Sequence, residues 1–290
     1  MDPKLEAVSK VTVPHILDQK LQARKITCLT AYDYPTARLV DEAGIDVVLV
    51  GDSLAQVVLG YDSTLPVTVD EMLHHLRAVR RAVRRALLVA DLPFGSYHVG
   101  GDEAMRAAVR YLKEGGAEAV KLEGGRRRAE LIRRLVDAEI PVMGHIGLTP
   151  QSIHALGGHR VQGKTLESAS DLVADAQAVE DAGAFAIVLE GIPRELGAMI
   201  TRRLRIPTIG IGAGPDCDGQ VLVLHDLLGL TFQPRAKFVR AYADLAGVVR
   251  EAVARYRDDV AEARYPDDRE SYHWSASLRE QFEERVKVKA

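Results

Sequence analysis

Charged and polar side chains close a succession of short apolar runs in this chain. VVLVGDS leads into Asp52 and Ser53, LLVAD ends on Asp91, AVKLE carries Lys121 and Glu123, PVMGH ends on His145, and FAIVLE ends on Glu190. An acid at the end of a buried strand is costly unless something there needs its charge. One such case reads as a helix N-cap or a rim salt bridge, whereas repetition along the chain points to a shared site. Brought together, Asp52, Asp91 and Glu123 would raise one another's proton affinity unless a cation lay among them. Oxygen donors without a cluster of histidines or cysteines suit a hard divalent ion. Mg2+ in particular keeps several waters and takes only a few carboxylates.

Lys121 and Glu123 lie two residues apart, so both side chains leave a strand on the same side. The lysine could form a Schiff base, or it could remain a cation beside an anionic substrate. Neighbouring acids keep it protonated and favour the second role. Glu190 closes a strongly apolar run, which suits a general base for a reluctant C–H proton; the alternative is a capping acid facing the helix near Glu195. His145 reads either as a donor to substrate or as a satisfied core histidine.

These residues need elements to position them. β-branched, apolar runs at 26–30, 47–50, 87–90, 119–122, 141–144, 185–189, 207–211 and 221–224 read as strands, and their near-continuous hydrophobicity indicates burial on both faces of a parallel sheet. Helical patterns lie between them at 36–43, 70–85, 103–113, 129–137, 167–181, 195–203 and 237–256. Thr68 and Glu71 have capping-box spacing, and Gly44, Gly115 and Gly183 stand where helices should end in a left-handed residue. Eight strands alternating with helices predict an α/β fold, a (β/α)8 TIM barrel, which gathers all strand ends at one mouth. The expected barrel domain, with an N-terminal extension, covers residues 1–263. Two connections, 51–68 and 144–165, are longer than packing requires and read as walls of the site.

From 264 to 290 the composition changes. Trp274, Leu278, Phe282 and Val286 recur every four residues, a helical stripe expected to dock on the barrel or on a neighbouring subunit. GIGAG at 210–214 lacks the rest of a nucleotide fingerprint and reads as a tight turn, and Arg77, Arg81 and Arg84 read as a solvated helix face. The 290 residues carry a net charge of −3, so no polyanion-attracting field and no nucleic-acid partner are expected. Cys28 and Cys217 form no CxxC pair, which fits a reducing cytoplasm. The segment MDPKLEAVSK lacks the apolar stretch of a signal peptide, and the apolar runs are strand-sized, so neither export nor a membrane is expected.

The strings TAYDY, LVGDSL, GYDSTLPVT, ADLPF, VKLEGG, GHIGLTPQS, VLEGIP and IGIGAG resemble the ketopantoate hydroxymethyltransferase family over roughly residues 10–270. Ala55 and Gln56 stand where that family commonly has glycine and methionine, a change that touches no expected ligand. The resemblance implies a barrel of the phosphoenolpyruvate/pyruvate superfamily and transfer of a one-carbon unit from 5,10-methylenetetrahydrofolate to 3-methyl-2-oxobutanoate. It implies Mg2+ on Asp52, Asp91 and Glu123, substrate on Asp52, Ser53, Asp91 and Lys121, and Glu190 as proton acceptor; His145 stays a candidate substrate contact on its residue type alone. A homodecamer, a pair of pentameric rings, is the assembly it implies. The competing readings are a carbon–carbon lyase or phosphonomutase of the same superfamily, and a catalytically silent barrel acting as a scaffold.

Overall fold

A computed structural model describes residues 9–287. Among them eight strands form a closed parallel barrel in sequential order: β1 Ile26–Thr30, β2 Val47–Val50, β3 Leu87–Asp91, β4 Ala119–Glu123, β5 Val142–Gly147, β6 Ala186–Glu190, β7 Thr208–Ile211 and β8 Gly219–Leu222. The expected (β/α)8 barrel is therefore present. The α-helices among the described residues are α1 Val13–Leu21, α2 Tyr34–Glu42, α3 Leu54–Val57, α4 Val69–Ala82, α5 Gly101–Arg110, α6 Ala129–Asp137, α7 Ile153–Leu156, α8 Leu166–Asp181, α9 Arg194–Arg203, α10 Leu224–Leu228, α11 Leu245–Ala261 and α12 Ala276–Lys287.

Strand parity explains why the runs are apolar throughout. Cys28, Val47, Leu49, Leu87, Val89, Ala119, Met143, Val188, Ile209 and Val221 share one interior cluster, while the residues between them, such as Val48, Leu88, Val120 and Ile187, pack with the helices. β2 to β7 thus have two largely dry faces, whereas β1 and β8 expose Thr27 and Gln220 on the outer side. Asp91, Lys121, Glu123, His145 and Glu190 continue the interior parity by one or two steps, so the strands themselves aim these side chains into the mouth. Register sets Asp91 beside Lys121, Glu123 beside His145, and Gly147 beside Glu190.

The amino-terminal residues do more than extend the chain. Val11 and Ile16 of the segment leading into and forming α1 are buried in the same interior cluster as Ile26, Leu87 and Phe185, closing the barrel at the strands' amino ends. Pro14 lies in the first turn of α1, where a missing N–H costs nothing.

Several boundaries differ from the sequence expectation for identifiable reasons. α4 has the expected Thr68/Glu71 capping box but stops at Ala82. Buried Asp41 accepts hydrogen bonds from the backbone N–H groups of Arg84 (3.0 Å), Arg85 (3.1 Å) and Ala86 (2.7 Å), pulling that segment out of the helix and toward β3. α5 runs into a π-helical turn, Tyr111–Gly115, and the left-handed residue is Gly116, not Gly115. Gly115 is needed for another reason, since a Cβ there would lie 2.3 Å from Leu76 Cδ2 on α4. Gly44 and Gly183 are left-handed as expected. Instead of spanning 237–256, the long C-terminal helix is α11, capped by Asp244, which accepts from Gly247 N–H at 3.1 Å.

Arg77, Arg81 and Arg84 are exposed, the solvated face that their spacing suggests. The chain divides into two compact units between Tyr242 and Ala243, earlier than the composition change near 264. Within the second unit Trp274 packs edge-on against Phe282 at 4.9 Å, and Trp274, Leu278, Phe282 and Val286 are exposed. Among the described residues no helix is long and apolar enough to cross a membrane.

Asp41 offers a test of how β3 is held. Asp41→Ala strands three backbone donors and should destabilise the protein by about 3 kcal/mol, read as a Tm lower by several degrees, with Asp41→Asn losing about half as much. An unchanged Tm in the alanine variant would mean that water satisfies those donors.

Candidate active site

The mouth of the barrel holds a cavity of 190 Å³ whose lining includes Asp52, Ser53, Asp91, Lys121, Glu123, His145 and Glu190. All seven residues singled out from the sequence meet there. Asp52 lies just beyond β2, after Gly51, where a Cβ would come within 2.9 Å of Ser53 Oγ and 3.4 Å of Asp91 Oδ2. This close passage lets Asp52 N–H donate to Asp91 Oδ2 at 3.1 Å. Ser53 Oγ lies 2.8 Å from Tyr32 Oη, deep in the wall.

Lys121 Nζ donates to Asp91 Oδ1 at 2.7 Å, and both side chains are buried. His145 stands between two carboxylates, with Nδ1 3.5 Å from Glu123 Oε1 and Nε2 3.2 Å from Glu190 Oε2. Both ring nitrogens are buried and neither makes a hydrogen bond of good geometry, so the imidazole keeps capacity for a ligand. Glu190 is more accessible than its neighbours, its side chain being 16% exposed.

The electrostatics follow from burial and crowding. Burial, and then the charge of Asp91, push the Asp52 carboxyl up to about 7, against the opposing pull of Lys121 and Gln151. Glu123 is held well above the ordinary carboxylate range, first by burial and then by Asp52. For Lys121 burial favours the neutral amine, yet Asp91, Asp52 and Glu123 together outweigh it and hold the ammonium above its ordinary value. A protonated lysine is a counter-ion rather than an amine nucleophile. Burial also pushes the Cys28 thiol up to about 12, which leaves it inert inside the barrel.

Five carboxylates, Asp226 included, and one ammonium line this cavity, so the surplus is negative and is met by raised proton affinity at Asp52 and Glu123. Such a donor set fits a hard divalent cation, which would replace those protons. Among the described residues no group of three or more His, Cys, Asp or Glu side chains is placed to hold a metal ion as it stands. Mg2+ takes only a few carboxylates and keeps much of its water.

Two residues that sequence reasoning missed orient the acids. Gln151, from the long loop after β5, donates through Nε2 to Asp52 Oδ2 at 2.8 Å and to the Leu92 carbonyl at 3.0 Å, while its backbone N–H donates to Glu123 Oε2 at 3.1 Å. Tyr97 Oη donates to Gln151 Oε1 at 2.6 Å and accepts from Glu123 N–H at 3.2 Å. The tyrosine hydroxyl thereby fixes which end of the Gln151 amide faces Asp52. One oxygen each of Asp52 and Glu123 is tied down by Gln151, while Glu123 Oε1 faces His145 Nδ1 at 3.5 Å. The Arg128 guanidinium carbon lies 5.0 Å from the centre of the Tyr97 ring and helps hold it. Only the unusual length of the 144–165 loop hinted at Gln151; nothing marked Tyr97.

GIGAG forms the end of β7 and a turn with Gly212 and Gly214 at positive φ, in keeping with a tight turn rather than a nucleotide loop.

Comparison with known proteins agrees with this geometry. Residues 10–268 match the family model described as ketopantoate hydroxymethyltransferase. The chain is 67% identical over 265 residues to the 3-methyl-2-oxobutanoate hydroxymethyltransferase of Koribacter versatilis (strain Ellin345), covering 91% of this chain and 90% of that one. In fold it resembles a phosphonopyruvate hydrolase solved with oxalate and Mg2+ (TM-score 0.55, 17% identity, 96% of this chain and 97% of the other). It also resembles 2,3-dimethylmalate lyase, a member of the PEP mutase/isocitrate lyase superfamily (TM-score 0.54, 17% identity, 96% and 94%). With the family model spanning nearly the whole chain and a relative this similar, the protein belongs to the ketopantoate hydroxymethyltransferase family.

Proposed function

We propose that the chain transfers a hydroxymethyl unit from 5,10-methylenetetrahydrofolate to 3-methyl-2-oxobutanoate, giving 2-dehydropantoate, the first committed step of pantothenate synthesis. The observation that carries this reading is a surplus of buried carboxylates around one protonated lysine, with Glu190 on the cavity wall. Asp52, Asp91 and Glu123 would hold Mg2+, which when bound acts as a Lewis acid on a 2-oxo acid's ketone.

The protein's own groups then act in sequence. Asp52, Ser53, Asp91 and Lys121 bind the oxo acid, with His145 as a further contact. Glu190 accepts the C3 proton. The gap between that carbon acid and a carboxylate is about 15 pKa units, or roughly 20 kcal/mol. Glu190 cannot bridge it alone, so the fixed Lys121 charge must stabilise the developing oxyanion while the buried walls keep water out. The enolate carbon bonds to the carrier's methylene carbon as the two carbon–nitrogen bonds of that methylene break in turn; one nitrogen takes the proton removed from C3, and a water admitted after carbon–carbon bond formation gives its hydroxyl to the carbon and its other proton to the second nitrogen. The same reading carries a cytoplasmic location and a decamer of two pentameric rings, which sedimentation of the full chain would test.

Product formation from these two substrates, abolished by a chelator and restored by Mg2+, is the direct assay; cleavage of another oxo or hydroxy acid instead would favour a lyase. Glu190→Gln should retain oxo-acid binding while slowing C3 exchange in deuterated water by at least about 100-fold. Fast exchange in that variant would remove Glu190 from the role. Gln151→Ala should weaken Mn2+ binding by about tenfold, measured calorimetrically without substrate, because Asp52 loses the side-chain amide that orients it, while the backbone N–H at position 151 still holds Glu123.

The raised Asp52 pKa also has a sign that can be checked. Its carboxyl is about 7 when folded and ordinary when unfolded, so its contribution favours the metal-free fold at low pH and is lost as pH rises from about 4 through about 7. A cation that displaces this proton should bind more tightly with rising pH, by up to about tenfold per unit below 7. A flat Mn2+ affinity between about pH 5.5 and 8 would contradict the assigned proton.

A further inference from the structure

A second cavity, of 720 Å³, opens beside the first and shares Glu190, His159 and Phe238 with it. We propose that this cavity is the binding site of the one-carbon carrier, with Arg160 and Lys237 receiving the carboxylates of its glutamate tail. The proposal rests on the reaction inferred above and extends it to a site for the second substrate.

Size separates the two cavities. A space of 190 Å³ suits a five-carbon oxo acid, whereas a pterin joined to an aminobenzoyl-glutamate needs the volume of a drug-sized ligand, which 720 Å³ provides. Position is the second point. Glu190 lies on the common wall, so a methylene group presented from the larger cavity reaches the carbon whose proton Glu190 has taken. Reaction requires the two reacting carbons to be held next to each other, and the shared lining brings the two cavities into contact.

Chemistry is the third point. Leu148, Val161, Ile192 and Phe238 give the larger cavity apolar walls for flat rings, and Val161 and Phe238 are exposed there, at 46% and 37%. Its charged lining is cationic apart from Glu190 itself. Arg194 Nε is paired with Asp216 Oδ2 at 3.2 Å. Among the described residues the Arg160 guanidinium and the Lys237 ammonium have no carboxylate partner, although both line the cavity and are exposed. Exposed cations add little to fold stability but attract an anionic ligand and set its direction of approach.

The test uses the full chain with Mg2+ and the non-transferring analogue 5-formyltetrahydrofolate, as its mono- and triglutamate, in calorimetric titrations. The triglutamate should bind about tenfold more tightly at low salt, and the preference should shrink as salt rises. The double reversal Arg160→Glu with Lys237→Glu should remove that preference and raise the dissociation constant of both forms, while 3-methyl-2-oxobutanoate binds with parental affinity. Parental affinity for the triglutamate in the double variant would overturn the assignment, as would equal loss of oxo-acid binding. A parent chain that makes product alongside a double variant with parental folate affinity removes this cavity alone. A parent chain that makes none removes the reaction and the cavity together.

Discussion

Asp52, Asp91, Glu123 and Glu190 face one cavity in which Lys121 supplies the ammonium, and this imbalance of buried charge governs the rest of the mouth. Left unanswered, such a surplus is relieved by proton uptake, visible in the raised Asp52 and Glu123. Chemistry that creates negative charge on a substrate oxygen needs the opposite condition, with the acids ionised and a cation in their midst. The protein therefore has to hold mutually repelling groups in place before any ligand arrives. Gln151 and Tyr97 meet part of that demand by occupying one oxygen of Asp52 and of Glu123 through hydrogen bonds of fixed direction.

The barrel makes this arrangement possible by parity. Side chains along each strand alternate between the interior and the helical layer, and the interior series passes from Val89 to Asp91, from Ala119 through Lys121 to Glu123, and from Val188 to Glu190. Apolar packing below fixes the backbone, and the same backbone aims the acids above it. Stability and chemistry occupy different levels of one strand. A single-residue slip in register would turn the acids into the helical layer and the apolar residues of that layer into the mouth.

This division explains what could be read from the chain. Strand positions, the parallel barrel and the acids were legible because each depends on local pattern: a β-branched run, then a charge. Lys121 as a cation was legible from the company it keeps in KLE. Gln151 and Tyr97 were not, because a neutral amide and a phenol carry no periodic or charge signal, and their roles exist only once the loop after β5 folds across the mouth. The end of α4 was hidden for a similar reason, since Asp41 acts on it from 43 residues away. Gly115 was correctly marked as special but for the wrong reason: close approach to Leu76 rather than a left-handed turn.

Val11 and Ile16 are buried at the amino end of the barrel, so packed apolar side chains floor the carboxylate pocket. The small cavity is lined largely by strand ends, buried Asp91, Lys121, Glu123 and His145 among them, while the larger one also draws on exposed Arg160, Val161 and Lys237. Because the two cavities share Glu190, His159 and Phe238, whatever fills the larger one also lies over part of the smaller one's lining. A common wall of this kind couples the two occupancies: the arrival of one ligand alters the surface that the next one meets.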